Sequence, residues 1–475
     1  MAKGSTEFIR VLGRGDILAL SFGAMIGFGW VVLTGDFLDS AGSLGAALAF
    51  LIGGTIVGLV GLTYAELVSA MPKAGGEHQY ALRGLGARGG FVASWGILLG
   101  YLAVVAFEAV ALPETVLYLF PDMKAGYLWT VAGYEVHASW AAVGIAAAVA
   151  ITALNYAGIR PAAVFQTIAV LFLLGVGVLL ALGSVVGGST EQMSPLFEAG
   201  VGGFLVVLVA TPFLFVGFDV IPQSAEEVNL PYRQVGRILV ISVACATAWY
   251  ILIMLTVSSA LSRSDLLDAD LASADGMAAL WNSQTMGNVL VLGGIAGILT
   301  SWNAFIVGAS RLAYAMARSG MLPEWLGRLH PRFKTPGNAL LVIGGLSVLA
   351  PLFGEEMLTW LVNAGSANIV VAYIMVTLTF LVLRRREPDM ERPFRTPAGP
   401  VVGVLALALS LGLAVLYLPG MPSALVVPYE WGIVGAWWVI GAVLIWRLPR
   451  VHPGADAEDR LVAAVRGRRR PGTDS

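Results

Sequence analysis

Mostly apolar stretches about as long as a bilayer is thick recur along this whole sequence, for example over 139–156, 163–186, 235–261 and 401–418. Roughly 20 apolar residues in a helix cross the ~30 Å hydrocarbon layer. A segment in lipid must also satisfy its own backbone, which a helix does. The chain is therefore read as an all-α polytopic membrane protein. Composition agrees, since 57% of the 475 residues are hydrophobic and 12% charged, with a mean hydropathy of +0.81. A domain in water has no way to hide that much apolar surface.

Twelve transmembrane helices are predicted, over 16–40, 43–70, 88–118, 139–157, 163–187, 200–226, 234–260, 287–316, 337–353, 357–383, 399–419 and 429–448. An even number places both termini on one side. Lys and Arg concentrate in cytoplasmic loops near span ends. Here only Lys124 and Arg263 fall on the side away from the termini, against the other 26 of the 28 basic residues. The expectation is a multi-pass protein of the cell membrane with a cytoplasmic N-terminus (1–15), one transmembrane domain (16–448) and a cytoplasmic tail (449–475). In that tail Pro, Gly and charge replace the apolar pattern, which predicts disorder. The basic N-terminus runs into a full-length span with no small-residue cleavage site, so no removable signal is expected.

A single cysteine, Cys245, falls inside a predicted span, where it reads as packing, and it rules out an intrachain disulfide or a cysteine metal cluster. His78, His137, His330 and His452 fall in predicted loops or the tail. No metal site, cofactor or nucleic-acid partner is expected.

Two spans carry helix-breaking residues at their centres. Span 1 holds Gly23-Ala24-Met25-Ile26-Gly27-Phe28-Gly29, and span 6 holds Phe213-Leu-Phe-Val216-Gly217-Phe218-Asp219-Val-Ile-Pro222. Irregular backbone at membrane depth is tolerated only where protein encloses it. Two interruptions five spans apart point to an inverted-repeat transporter with its site between the repeats. Unwinding at Gly27 and Gly29 exposes N–H groups whose dipole favours a carboxylate, and carbonyls that hold an ammonium or a cation. The competing reading takes Gly23, Gly27 and Gly29 as a small-residue packing face.

At these residues the sequence resembles the amino acid–polyamine–organocation superfamily of transporters. The glycine run of span 1 is similar to that family's signature, as is Tyr64-Ala-Glu66-Leu…Met71-Pro72-Lys73-Ala-Gly75-Gly76-Glu77-His78-Gln79-Tyr80 after span 2. Gly217-Phe218-Asp219 with Ala225-Glu226-Glu227, Ser310-Arg311 through Pro323, and Arg392-Pro393-Phe394-Arg395-Thr-Pro397 complete the match. The resemblance implies a leucine-transporter-like fold in which helices 1–5 and 6–10 form a 5+5 inverted repeat, helices 1 and 6 are broken, and helices 11 and 12 are peripheral. It also implies a secondary active permease that moves an amino acid across the cytoplasmic membrane by alternating access. The substrate α-carboxylate would meet N–H groups around Phe28 and Gly29. Its α-amine would meet carbonyls near Ala24 and Val216. Many members carry Ser or Thr where this chain has Phe28, and Trp30 is bulkier than usual, so a small amine such as ethanolamine or a polyamine stands as the alternative substrate class. A substrate sensor on the same fold is a third reading.

An ionisable group inside a span costs roughly 3 kcal/mol or more and faces a cavity or a partner by default. Glu108 in span 3 fits an amine contact, a proton carrier or a structural group. Asp219 caps the unwound segment or contacts substrate. Glu66 reads as pairing with basic loop residues. The expected substrate site is Ala24, Ile26, Gly27, Phe28, Gly29, Glu108, Phe213, Val216, Gly217, Phe218 and Asp219, with Phe213 and Phe218 as gates. Coupling candidates are Glu108 for a proton, and Thr300 with Ser301 for sodium. No HExxH, GxSxG or P-loop motif occurs, so neither a membrane enzyme nor a directly ATP-driven pump is expected.

Overall fold

The computed structural model describes residues 8–421 and 423–468. The first apolar stretch is divided into α1 (Arg14–Met25), α2 (Gly29–Val32) and α3 (Thr34–Ala41), followed by the long α4 (Ser43–Ala70) and α5 (Glu77–Leu117). A hairpin of β1 (Tyr127–Val131) and β2 (Tyr134–His137) leads to α6 (Ala138–Tyr156) and α7 (Ile159–Gly187). The second interrupted stretch is α8 (Gly200–Phe215) and α9 (Val220–Gln223), then α10 (Tyr232–Ser258) and the short α11 (Arg263–Leu267) and α12 (Ala272–Trp281). The chain continues through α13 (Gln284–Arg318), α14 (Gly337–Leu349), α15 (Met357–Arg386), α16 (Gly399–Leu416), α17 (Tyr429–Arg447) and α18 (Ala457–Arg468).

Among the described residues, ten segments are long and apolar enough to cross a membrane, with α8 and α9 counted as one. The shorter apolar run Gly337–Phe353 and the divided run from α1 to α3 stand beside them. α5 packs on α15 and α13, α4 packs on α10 and α8, and α1 lies among α7, α10 and α13. The outer helices expose apolar side chains, such as Ile168, Leu171 and Val178 of α7 and Val401, Val404 and Leu411 of α16. Surface of that kind is stable against lipid tails and not against water. The molecule is a multi-pass membrane protein.

Several expectations are corrected. The fold is not all-α throughout, since the loop after span 3 holds a β-hairpin, turned at Ala132 (φ 49°) and Gly133 (φ 96°), the paired positive φ of a tight two-residue turn. α5 begins at Glu77 rather than 88, with non-helical geometry at Gly86 (φ 79°). There the tail crosses, and Val451 O accepts from Ala87 N at 3.2 Å. His78 consequently sits inside α5, fully buried, not in a loop. Residues 457–468, expected to be disordered, form α18, with Leu461 buried and Glu458 bonded to Lys73 at 3.0 Å. Charge dominated the sequence pattern there, but one apolar edge suffices to dock it. Residues 469–475 lie outside the described residues. Cys245 is exposed on α10 rather than packed inside.

Candidate functional site

Both interruptions fall at the centre of the molecule. Ile26 (φ −105°, ψ 58°) ends α1, and regular helix resumes at Gly29. Val216 (φ −60°, ψ 144°) ends α8, and Gly217 takes φ 126°. The two breaks touch. A Cβ on Gly217 would lie 2.6 Å from the Ala24 Cβ and 3.1 Å from Met25 N. Tyr250 of α10 donates to Met25 O at 2.9 Å, which satisfies one carbonyl freed by the break.

Gly23 and Gly27 both face α13, at Thr300 and Ser301, while Gly29 faces Leu214, so the three do not form one packing stripe. A Cβ on Gly23 would meet Gln166 and Val170 of α7, one on Gly27 would meet Glu108 Oε1 (2.5 Å) and Ser301 Oγ (2.8 Å), and one on Gly29 would meet Leu214. Oε1 of Glu108 and Oγ of Ser301 therefore crowd the same point beside Gly27. Glu108 Oε2 is buried and has no hydrogen-bond partner among the described residues. The structure thus brings Glu108 and Ser301, candidates for different coupling ions, into one contact. Thr300 turns away, donating to Gly297 O (2.9 Å) and Gly23 O (3.3 Å), and Ile26 O lies 2.9 Å from where a Gly297 Cβ would stand.

Phe213 and Phe218 lie on opposite sides of the second break. Phe213 packs on Phe107 (5.6 Å between centroids), which packs on Phe28 (3.8 Å). A cavity of about 430 Å³ reaches Phe28 and Phe107 from the end of the bundle away from the termini, with Asp36, Glu355 and Asn363 among its walls. Phe218 instead packs on Tyr64 and Tyr373, towards the end where the described termini lie.

That second end is sealed. Asp219 accepts from Gly217 N (2.8 Å) through Oδ1, the local cap expected of it, and from Tyr101 OH (2.6 Å) through Oδ2. Gln223 donates to Glu77. Arg311 and Glu227 make a two-pronged ion pair at 3.1 and 3.0 Å, with side chains only 1% and 2% exposed. Leu12 N donates to Glu227 O and Asn229 N to Leu12 O, stitching the N-terminal strand across the same loop. Glu66 pairs with Arg384 and Arg392.

Sequence reasoning missed Phe107, the buried amide chain Asn155–Asn303–Gln166 beside Gly23, and the hydrogen bond from Gln223 to Glu77. A polar residue on the predicted inner face of spans 4, 5 and 8 was the available signal for the amides. Ordinary Phe content hid the first.

This geometry defines a multi-pass membrane protein organised around two interrupted helices in contact. Residues 12–445 match the amino acid permease family, and the chain belongs to it. It is 27% identical to the branched-chain amino acid permease BcaP of Bacillus subtilis (strain 168), over 86% of this chain and 88% of the relative. The methylthioribose transporter of the same organism is 24% identical over 94% and 95%, and the Asc-type amino acid transporter 1 of Mus musculus is 26% identical over 81% and 72%. The chain is a transporter and not an enzyme.

Proposed function

We propose that the protein is a secondary active permease of the cytoplasmic membrane that carries an amino acid by alternating access between the two interrupted helices. The observation that carries this reading is the contact of the breaks at 26–28 and 216–219, flanked by a cavity on one side and a seal on the other. Twelve spans in a 5+5 inverted repeat fit the packing, because helices five spans apart touch: α4 with α10, α5 with α13, α6 with α14, and α1 with α9. A two-fold axis between repeats produces such pairs. With both termini cytoplasmic, as the basic residues indicate, the cavity faces outward and the Arg311–Glu227 end faces the cytoplasm. Substrate enters from the outside and settles at Ala24, Ile26, Gly27, Phe28 and Gly29 against Val216 and Gly217, under Phe213. Glu108 serves as proton carrier, or Thr300 and Ser301 serve as a sodium site.

One observation favours a small amine instead. The buried carboxyl of Glu108 lies beside Gly27, next to where an α-carboxylate is expected to bind, and so supplies a carboxylate to a ligand that lacks one. Uptake into proteoliposomes of labelled amino acids and amines, with proton and sodium gradients imposed separately, tests both readings. Saturable uptake of an amino acid supports the first, saturable uptake of an amine alone supports the second, and binding with no flux supports a sensor.

A further inference from the structure

A groove on the outer surface, between α6 and α14, lies away from the two interrupted helices. Val149, Ala153 and Tyr156 line it from α6, and Leu341, Gly345 and Val348 from α14. Both sets are spaced by four and then three residues, so each set is one face of its helix. The helices meet at the floor, where a Cβ on Gly344 would lie 2.3 Å from Thr152, whereas Gly345 faces open space. Thr152 spends its hydroxyl on Ala148 O at 2.6 Å, so the length of the groove offers hydrocarbon alone. Val149 and Leu341 are exposed along it. The cavity measures about 580 Å³. At 1.5 Å per helical residue it runs about 10 Å along each helix, which fits within one leaflet of a hydrocarbon layer about 30 Å thick.

One end of the groove has a different chemistry. Tyr156 and Phe333 line it there, and His330 packs on both, with ring centroids 5.3 and 4.8 Å away. His330 Nδ1 accepts from Arg332 N (3.3 Å) and Phe333 N (3.2 Å). An accepting Nδ1 carries no proton, so the N–H of the ring is on Nε2. Arg332 lays its guanidinium over the Phe333 ring, 5.3 Å from the centroid. That contact uses the face of the guanidinium and leaves its N–H edge for another partner. Arg332 is exposed, and no carboxylate pairs with it among the described residues. An apolar slot thus opens onto a ring cluster and a cation, and aromatic rings collect at the level of lipid headgroups.

We propose that the groove is a binding site for one anionic phospholipid, with its acyl chain between α6 and α14 and its phosphodiester on Arg332. The hydrocarbon walls accept any acyl chain, so selection falls to the guanidinium, whose paired N–H donors match phosphate oxygens. A zwitterionic lipid brings its own ammonium beside the phosphate and gains less from that charge. With the termini cytoplasmic, the site faces the inner leaflet, where anionic lipids attract basic side chains. The site stands apart from the transport reading, because it needs only a membrane around the helices.

The test maps lipid contacts directly. The full-length protein is reconstituted in phosphatidylcholine vesicles holding a trace of phosphatidylglycerol with a diazirine in its acyl chain, and a parallel sample holds the matched phosphatidylcholine probe. After irradiation, labelled peptides covering 149–156 and 341–348 are quantified by mass spectrometry. Phosphatidylglycerol is expected to label them about fivefold more than phosphatidylcholine does. Arg332→Glu should bring that labelling down to the phosphatidylcholine level. Gly345→Phe, which fills the open space without a clash at its Cβ, should remove labelling by both probes. Equal labelling by the two probes in the unmutated protein would make the groove ordinary lipid-facing surface and overturn the proposal. No labelling by either probe would mean that protein covers the groove, with the same consequence. Phosphatidylglycerol labelling that survives either substitution unchanged also overturns it.

Discussion

Gly217 is held by two constraints at once. Its φ of 126° belongs to a region that residues with a Cβ rarely adopt, and its Cα faces the backbone of Ala24 and Met25. Gly217→Ala is expected to lower uptake about tenfold or more, since strain of this kind costs about 1–3 kcal/mol and about 1.4 kcal/mol is a factor of ten. Gly27 lacks the φ constraint but faces Glu108 and Ser301. Gly27→Leu should fill the locus and abolish uptake while leaving membrane insertion intact, which detergent-stable, monodisperse protein would verify. At Glu108, Gln keeps the shape and one acceptor but removes the charge. Charged hydrogen bonds contribute about 1.5–3 kcal/mol. Glu108→Gln is therefore expected to raise KM about tenfold or more with a smaller effect on kcat, read from concentration-dependent uptake. An unchanged KM together with unchanged pH dependence would make Glu108 a structural residue.

Among elements, α9 is as short as α2: four residues carried between an extended break and a loop. Its position is held by Asp219, by Gln223 against α5, and by the neighbouring Arg311–Glu227 pair. Leaving one half of a buried ion pair costs about 3–5 kcal/mol. Arg311→Ala should lower the thermal midpoint clearly, and adding Glu227→Ala should cost little more, because the interaction is already gone. Additive losses would show that the two side chains act separately.

The breaks themselves were legible in the sequence, since Gly27, Gly29, Gly217 and Pro222 interrupt otherwise apolar spans and the handicap is local. The span centres were legible for the same reason. Which way Phe213 and Phe218 face was not, because rotation about a broken helix is set by its neighbours. Neither was the bond from Gln223 to Glu77, residues far apart in the chain that meet only through tertiary packing. α18 escaped because its charges outnumber the few apolar residues that dock it.

At the scale of the whole molecule, one end is hollow and the other sealed, the arrangement of a carrier waiting for substrate from one side. Glu355 stands on the wall of the hollow end, outside the spans. Burial first, and Glu114 second, push its pKa from 4.5 up to about 7, against the opposing effect of Lys124. A carboxyl raised on folding favours the folded state below its unfolded pKa, and that contribution is lost as pH rises towards about 7. The mouth gains a negative charge over the same window. Uptake of a cationic substrate at low salt should therefore quicken between pH 6 and 8 by roughly the few-fold to tenfold typical of electrostatic steering, and Glu355→Gln should flatten that part of the profile. A profile unaltered by the substitution would remove Glu355 from the entry path.

The central claim is that substrate crosses between the two interrupted helices. Its most direct test is counterflow of a labelled amino acid into proteoliposomes, comparing the unmutated protein with Gly27→Leu reconstituted to equal density. Saturable counterflow that disappears in Gly27→Leu is the expected result. Counterflow that persists unchanged in the variant would contradict the account.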